Sequence, residues 1–295
     1  MEIGIDLETT AASGHVADLA RYIESAGFDA LFFPEHVAVP VNYDTFYRWG
    51  NDGKLPEHYN QWPDPYIALA IASAVTDRIK LGTGISILPE HEPIALAKTI
   101  ATLDFYSNGR TIFAFGAGWL KEETALFGVD FDSRWQKLGE SISAMKALWS
   151  EREASFQGGQ VSFPAIRCEP KPCQPGGPKV LLGVHRPGRA IPIIVKHCDG
   201  WFPLVTDTDQ FAKDVVELRQ ALEAASRNPD EIILYPILVP TGSDVSLEMM
   251  ESLRSIGVRH VMLTSDDHGE QNTTGKAREF VDRIAHLVDR AHGVS

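Results

Sequence analysis

The sequence reads as an α/β protein, a single (β/α)8 TIM barrel over residues 1–295, on three observations. Eight short apolar runs recur along the chain, amphipathic helical stretches fill the gaps, and several of those stretches stop at a glycine just before the next run. The echo shows when SAGFDALFF from Ser25, HCDGWFPL from His197 and SIGVRHVML from Ser255 are aligned, with Gly27, Gly200 and Gly257 as left-handed helix stops. A length of 295 residues, about twice the usual domain, admits one barrel.

The first strand is Ile3 to Leu7, and the helix after it carries Val16, Leu19, Ala20 and Ile23 on one face. The second strand, Ala30 to Phe33, precedes a long loop, Glu35 to Asp64, rich in aromatics (Tyr43, Phe46, Tyr47, Trp49, Tyr59, Trp62). A loop of that length in a compact domain usually has a function, and we read it as a pocket lid. The third strand is Ile79 to Gly84, its helix marked by Ile94, Leu96, Ala97, Ile100 and Leu103, and the fourth is Thr111 to Phe115. After the helix ending near Trp149, SFQGGQVSF alternates around Gly158-Gly159 as a small hairpin inserted between strands four and five. A Pro-rich stretch to Pro178 returns the chain to the barrel, whose remaining strands are Lys179 to Val184, Trp201 to Val205, Ile232 to Val239 and His260 to Thr264. Phe280, Ile284, Leu287 and Val288 mark the last helix.

Composition narrows the partners. Hydrophobic residues at 44% and charged residues at 23% give a globular, core-forming, soluble chain, and collagen-like, disordered or coiled-coil readings drop out. Lys and Arg number 27 against 40 Asp and Glu, a net charge of −13 that repels nucleic acid and anionic membrane alike. No apolar run reaches the ~18 residues of a spanning helix, and the stretch from Met1 to Asp6 has no basic leader, so the expected location is cytoplasmic. Cys168, Cys173 and Cys198 have neither disulfide nor zinc spacing and read as small buried or semi-buried thiols, and no metal site is expected.

Barrel active sites lie at the strand C-termini, which selects the residues just after each apolar run. His36 is the candidate acid/base or ring-contacting group, because imidazole titrates near neutral pH; the alternative is a histidine satisfied by hydrogen bonds. Glu35 orients it or contacts a neighbouring strand. Gly82-Thr83-Gly84-Ile85 and Gly116-Ala117-Gly118-Trp119 place small residues where a flat ring can approach the backbone. Gly183-Val184-His185-Arg186-Pro187-Gly188-Arg189 runs from a strand into a helix, where free N–H groups and two guanidiniums can hold a phosphate. It matches neither dinucleotide nor P-loop patterns, and nothing supports a metal hydrolase or a serine esterase.

Four segments stand out together: AGFDALFFPEH from Ala26, DPYIALAIASAVTDRIKLGTGISILP from Asp64, EPIALAKTIATLDFYSNGRTIFAFGAGWLKEE from Glu92, and DGW at Asp199 to Trp201. In order and spacing they resemble the luciferase-like monooxygenase family, in its deazaflavin (coenzyme F420)-dependent oxidoreductase branch. The resemblance implies a barrel that binds a reduced flavin or deazaflavin at the strand C-termini, with His36 at the ring and the phosphate near Gly183 to Arg189. It places a non-proline cis peptide between Gly84 and Ile85. Deazaflavin sugar-phosphate dehydrogenases of the family carry a catalytic Glu where this chain has Trp119 and a Trp where it has Pro40, which argues against that particular activity.

The reading is therefore hydride transfer between reduced coenzyme F420 and an apolar or aromatic small molecule. The alternatives are an FMNH2-dependent monooxygenase using molecular oxygen and a non-catalytic flavin-binding protein. A homodimer, and a separate reductase that regenerates the reduced cofactor, are the expected protein partners.

Overall fold

The structure, a computed structural model, describes residues 1–48, 52–239, 247–264 and 274–293; Trp49 of the predicted lid lies outside them. Parallel strands β1 (Glu2–Asp6), β2 (Ala30–Phe33), β3 (Lys80–Ile87), β4 (Thr111–Gly116), β7 (Lys179–Gly183), β8 (Gly200–Phe202) and β11 (His260–Leu263) fall where the apolar runs predict them. The seventh predicted strand is two short pieces, β9 (Ile233–Leu234) and β10 (Ile237–Leu238). Pro236 lies between them and has no N–H to give a ladder. β9 pairs with β8 and β10 with β11, so this one segment carries the hydrogen bonding from β8 round to β11 and closes the barrel.

Each strand is followed by helix: α1 (Val16–Ser25), α2 (Pro65–Ser73), α3 (Pro93–Tyr106), α4 (Lys121–Leu126) with α5 (Arg134–Ser150), α6 (Ile191–His197), α7 (Thr208–Ala224), α8 (Leu247–Ser255) and α9 (Thr274–His292). The predicted hairpin is present as β5 (Ala154–Gln157) and β6 (Ser162–Ile166). Glu140 of α5 holds its turn by accepting from the N–H groups of Gly159, Gln160 and Val161.

Alternation sorts the strand residues into two cores. Ile3, Ile5, Leu31, Phe33, Leu81, Phe113, Phe115 and Leu182 face the helices. Ala30, Phe32, Ile112, Ala114, Leu181, Phe202, Tyr235 and Met262 fill the barrel, large against small. Gly82 belongs to this filling, because a Cβ there would meet the Phe32 ring at 2.6 Å; its small size serves packing and not a ligand.

In two of the three echoing segments the repeat is a hydrogen-bonding device at the strand N-termini. Asp29 accepts from Ile3 N and its own N–H donates to Ile3 O; Asp199 does the same with Val180. Gly27 and Gly257 have positive φ as helix stops, whereas Gly200 does not. It opens β8, where a Cβ would lie 2.5 Å from Ile233 O. Cys168 and Cys198 are buried thiols, but Cys173 is exposed, contrary to expectation. No helix among the described residues is long and apolar enough to cross a membrane.

Candidate active site at the strand C-termini

β3 ends in a bulge against β4 and a cis Gly84–Ile85 peptide, at the position the resemblance implies. Ile85 lies across Gly116 and Gly183, where added Cβ atoms would come within 2.0 and 2.3 Å of its side chain. These glycines therefore seat Ile85, and a ligand approaching here meets that side chain before their backbone. Glu35 braces the bulge from behind: its carboxylate accepts from Ser86 Oγ (2.5 Å), Ile87 N (2.8 Å) and His91 Nε2 (3.0 Å), and its N–H donates to Ile85 O. Tyr66 OH completes the chain at 2.7 Å from Ser86 Oγ. Thr83 is fully buried and gives its hydroxyl to Ala114 O, so it ties two strands together. Gly118 has φ 80° and packs beneath Thr124, turning the chain from β4 towards α4.

His36 follows Glu35 into the mouth. Its Nδ1 stands 2.6 Å from Oε2 of Glu123 on α4, and both side chains are buried. A carboxylate at that distance holds Nδ1 as the N–H donor. Nε2 makes no hydrogen bond among the described residues, so it is the atom left for a ligand. Around the imidazole stand Trp62, Tyr59 and Trp119, with ring centroids at 5.5, 5.6 and 6.3 Å. Tyr59 meets Tyr47 hydroxyl to hydroxyl at 2.9 Å, and burial pushes the Tyr59 hydroxyl far up, so it stays neutral. The lid is fastened twice more: Glu122 of α4 accepts from the N–H groups of Asp44 and Thr45, and Glu8, beyond β1, pairs with His58 at 3.0 Å.

Two buried carboxyl groups at this end lack partners. Asp6, the last residue of β1, has an orphan Oδ1, and both oxygens of Glu90 are orphans. Burial raises the Asp6 carboxyl well above its ordinary range, with Glu8 adding to it. Burial, then the charges of Glu123 and Glu35, push Glu90 up to about 9.

The segment after β7 borders a cavity of about 280 Å³ lined by His185, Arg186, Leu204, Thr206 and Gln210 among others. Val184 O accepts from Trp201 Nε1, and His185 Nδ1 donates to Leu204 O. Arg186 is committed to an ion pair with the buried Asp214 (2.6 Å), whereas Arg189 is exposed and unpaired among the described residues. Of the two guanidiniums expected to take a phosphate, only Arg189 is held ready.

The sequence profile of the luciferase-like monooxygenase family matches residues 1–279. This chain belongs to that family. An uncharacterized protein of Mycobacterium tuberculosis is 34% identical to this luciferase-like chain over 286 residues, 97% of this chain and 98% of that one. An F420-dependent glucose-6-phosphate dehydrogenase of Kineococcus radiotolerans is 28% identical over 236 residues, 75% of this chain and 62% of that one. The crystal structure of a long-chain alkane monooxygenase superposes with a TM-score of 0.74 at 15% identity, covering 98% of this chain and 91% of that one, a likeness of fold.

Sequence reasoning missed Glu123, Asp6 and Glu90 in the luciferase-like mouth. Glu123 stood inside the GAGWLKEE segment that carries the resemblance, one turn beyond Trp119. Asp6 was legible as the charged residue inside the first apolar run, Ile3 to Leu7, two residues on from the inward-facing Gly4. Nothing in the sequence marks Glu90, which is buried only because a short 3-10 turn, Leu88–Glu90, folds it inward after β3.

Proposed function

We propose that this luciferase-like protein is an oxidoreductase that uses reduced coenzyme F420 on an apolar or aromatic small molecule. The observation that carries the reading is the free Nε2 of His36, fixed by Glu123 beside the cis Gly84–Ile85 bulge and under an aromatic lid. The residues fit such a ring: Ile85 offers a seated apolar platform, and Trp62 Nε1 and Asp6 Oδ1 are buried polar atoms without partners. Ile85, Gly84, Trp119 and His36 would hold the ring, with Arg189 and the N–H groups from Gly183 to His185 on its phosphate side. When bound, reduced F420 supplies a hydride to an acceptor and reacts poorly with oxygen.

The chain's own contribution is placement and protons. Glu123 orients the imidazole so that Nε2 faces the reacting region and holds or accepts a proton there. Tyr59, Trp62 and Tyr47 exclude water once the lid closes. Glu35 makes no contact with the ring in this reading; it keeps the platform in shape through Ser86, Ile87 and His91.

A second reading, an FMNH2-dependent monooxygenase supplied by a separate reductase, is favoured by Trp119, an apolar residue where the F420 sugar-phosphate dehydrogenases carry a glutamate. Fluorescence titration with F420 and with FMN, oxidised and reduced, separates the two. Saturable F420 binding with weak FMN binding supports the first reading, and preference for reduced FMN supports the second. Binding of neither removes both, and tight binding without turnover across a panel of acceptors leaves a carrier.

The reading includes a homodimer. Ile67, Ala70, Ile71 and Ala74 form a stripe along α2 and its C-terminal cap, Ile67 being 64% exposed, and such apolar stripes mark association surfaces.

A further inference from the structure

Asp6 is out of keeping with its surroundings. It is the last residue of β1, its backbone pairs in register with Phe32, and the filling of the barrel below it is apolar. Its carboxyl group lies against Gly84, where an added Cβ would come within 2.9 Å of Oδ1 and 3.0 Å of Oδ2. That places it on the floor of the mouth, directly beside the cis peptide that precedes Ile85. The residue is 6% exposed, and its Oδ1 is buried without a hydrogen-bond partner among the described residues.

Most other carboxylates at the barrel ends are partnered, Glu90 being the exception. Glu35, Asp29, Asp104 and Asp199 each accept two or more hydrogen bonds, and Glu123 is paired with His36. A buried polar group left unpaired costs stability, and it persists where a ligand is to supply the partner. Among the described residues no cation acts on Asp6. The groups that face it are Glu8, itself paired with His58, and the neutral phenol of Tyr59 from the lid.

We propose that Asp6 is a ring-recognition residue: a neutral carboxylic acid on the floor of the mouth that donates its proton in a hydrogen bond to an acceptor atom of the bound flavin or deazaflavin ring. The inference rests on the cofactor reading above and extends it to a residue on β1, the strand beside the one that leads to His36. A neutral donor suits the position because Glu8 already places negative charge nearby, and a second carboxylate would repel the electron-rich carbonyl and nitrogen atoms of such a ring.

The test is fluorescence titration of F420 and FMN against wild type, Asp6→Asn and Asp6→Leu, from mildly acidic to alkaline pH, with circular dichroism to confirm folding. Asparagine keeps a donor of the same shape without the titration, and leucine removes it. Wild-type affinity should fall as rising pH ionises Asp6, Asp6→Asn should bind as wild type does at low pH and lose that dependence, and Asp6→Leu should bind about tenfold more weakly. A folded Asp6→Leu protein that binds the ring as tightly as wild type overturns the inference and leaves the cofactor reading standing. If the leucine variant does not fold, an Asp6→Asn profile that still follows the wild-type pH dependence overturns it. A wild type that binds neither ring overturns the cofactor reading and the donor role together.

Discussion

His36 Nδ1 and Glu123 Oε2 stand 2.6 Å apart, joining the loop after β2 to the helix after β4 across 87 residues of chain. This contact sets the tautomer of the imidazole and anchors the start of the lid, since Ala38 N also points at Glu123 Oε1 (3.4 Å). His36→Ala should lower turnover by about 100-fold or more while leaving the fold intact. Glu123→Ala, which leaves the buried imidazole unpaired, should in addition cost about 1–3 kcal/mol in urea unfolding. Wild-type turnover from folded His36→Ala protein would remove the acid/base assignment.

The seat of Ile85 predicts a compensating pair. Gly116→Ala and Gly183→Ala each drive a methyl group into Ile85 and should each destabilise by about 1–3 kcal/mol. Adding Ile85→Ala should recover most of that loss, and a double-mutant cycle of unfolding free energies with no coupling would contradict the packing described.

Glu90 predicts a pH dependence of stability. Its folded value, about 9, lies above the unfolded one of 4.5, so its stabilising contribution is complete below 4.5 and is lost as pH rises towards 9. Glu90→Gln should therefore melt like wild type at acidic pH and higher than wild type at pH near 9. Parallel melting curves across that range would show that the carboxyl is not buried as described.

The Glu8 to His58 contact predicts the behaviour of the lid. Glu8→Gln should leave the barrel strands unchanged and increase hydrogen exchange of the 52–62 segment. An unaltered exchange pattern there would mean that the aromatic packing of Tyr59 and Trp62 holds the lid without it.

The stripe on α2 predicts association. Ile67→Asp together with Ile71→Asp should convert a dimer to a monomer in light scattering without loss of helical signal, and a wild-type monomer would remove the surface from consideration.

The barrel was legible because its strands are buried on both faces and read as apolar runs, and because the helices between them keep a 3.6-residue period. The one strand that came out broken contains Pro236, which the apolar pattern of Ile232 to Val239 hides and which has no N–H for the ladder. His36 and the Gly84–Ile85 position were legible through strand ends and the family resemblance. The partners of the site residues were not: Glu123 and Glu90 reach their places through contacts distant in sequence, and a carboxylate on a short helical turn looks like any solvated one. Arg186 shows the converse, since no pattern signals that Asp214 on α7 has taken its charge.

The most direct test is a crystal structure of the protein grown with F420. The account predicts ring density in the barrel mouth, over Ile85, with His36 Nε2 and Asp6 in contact and the phosphate on the Arg189 side. Density for the ring elsewhere, such as in the cavity beside His185 and Gln210, with His36 and Asp6 untouched, would contradict it.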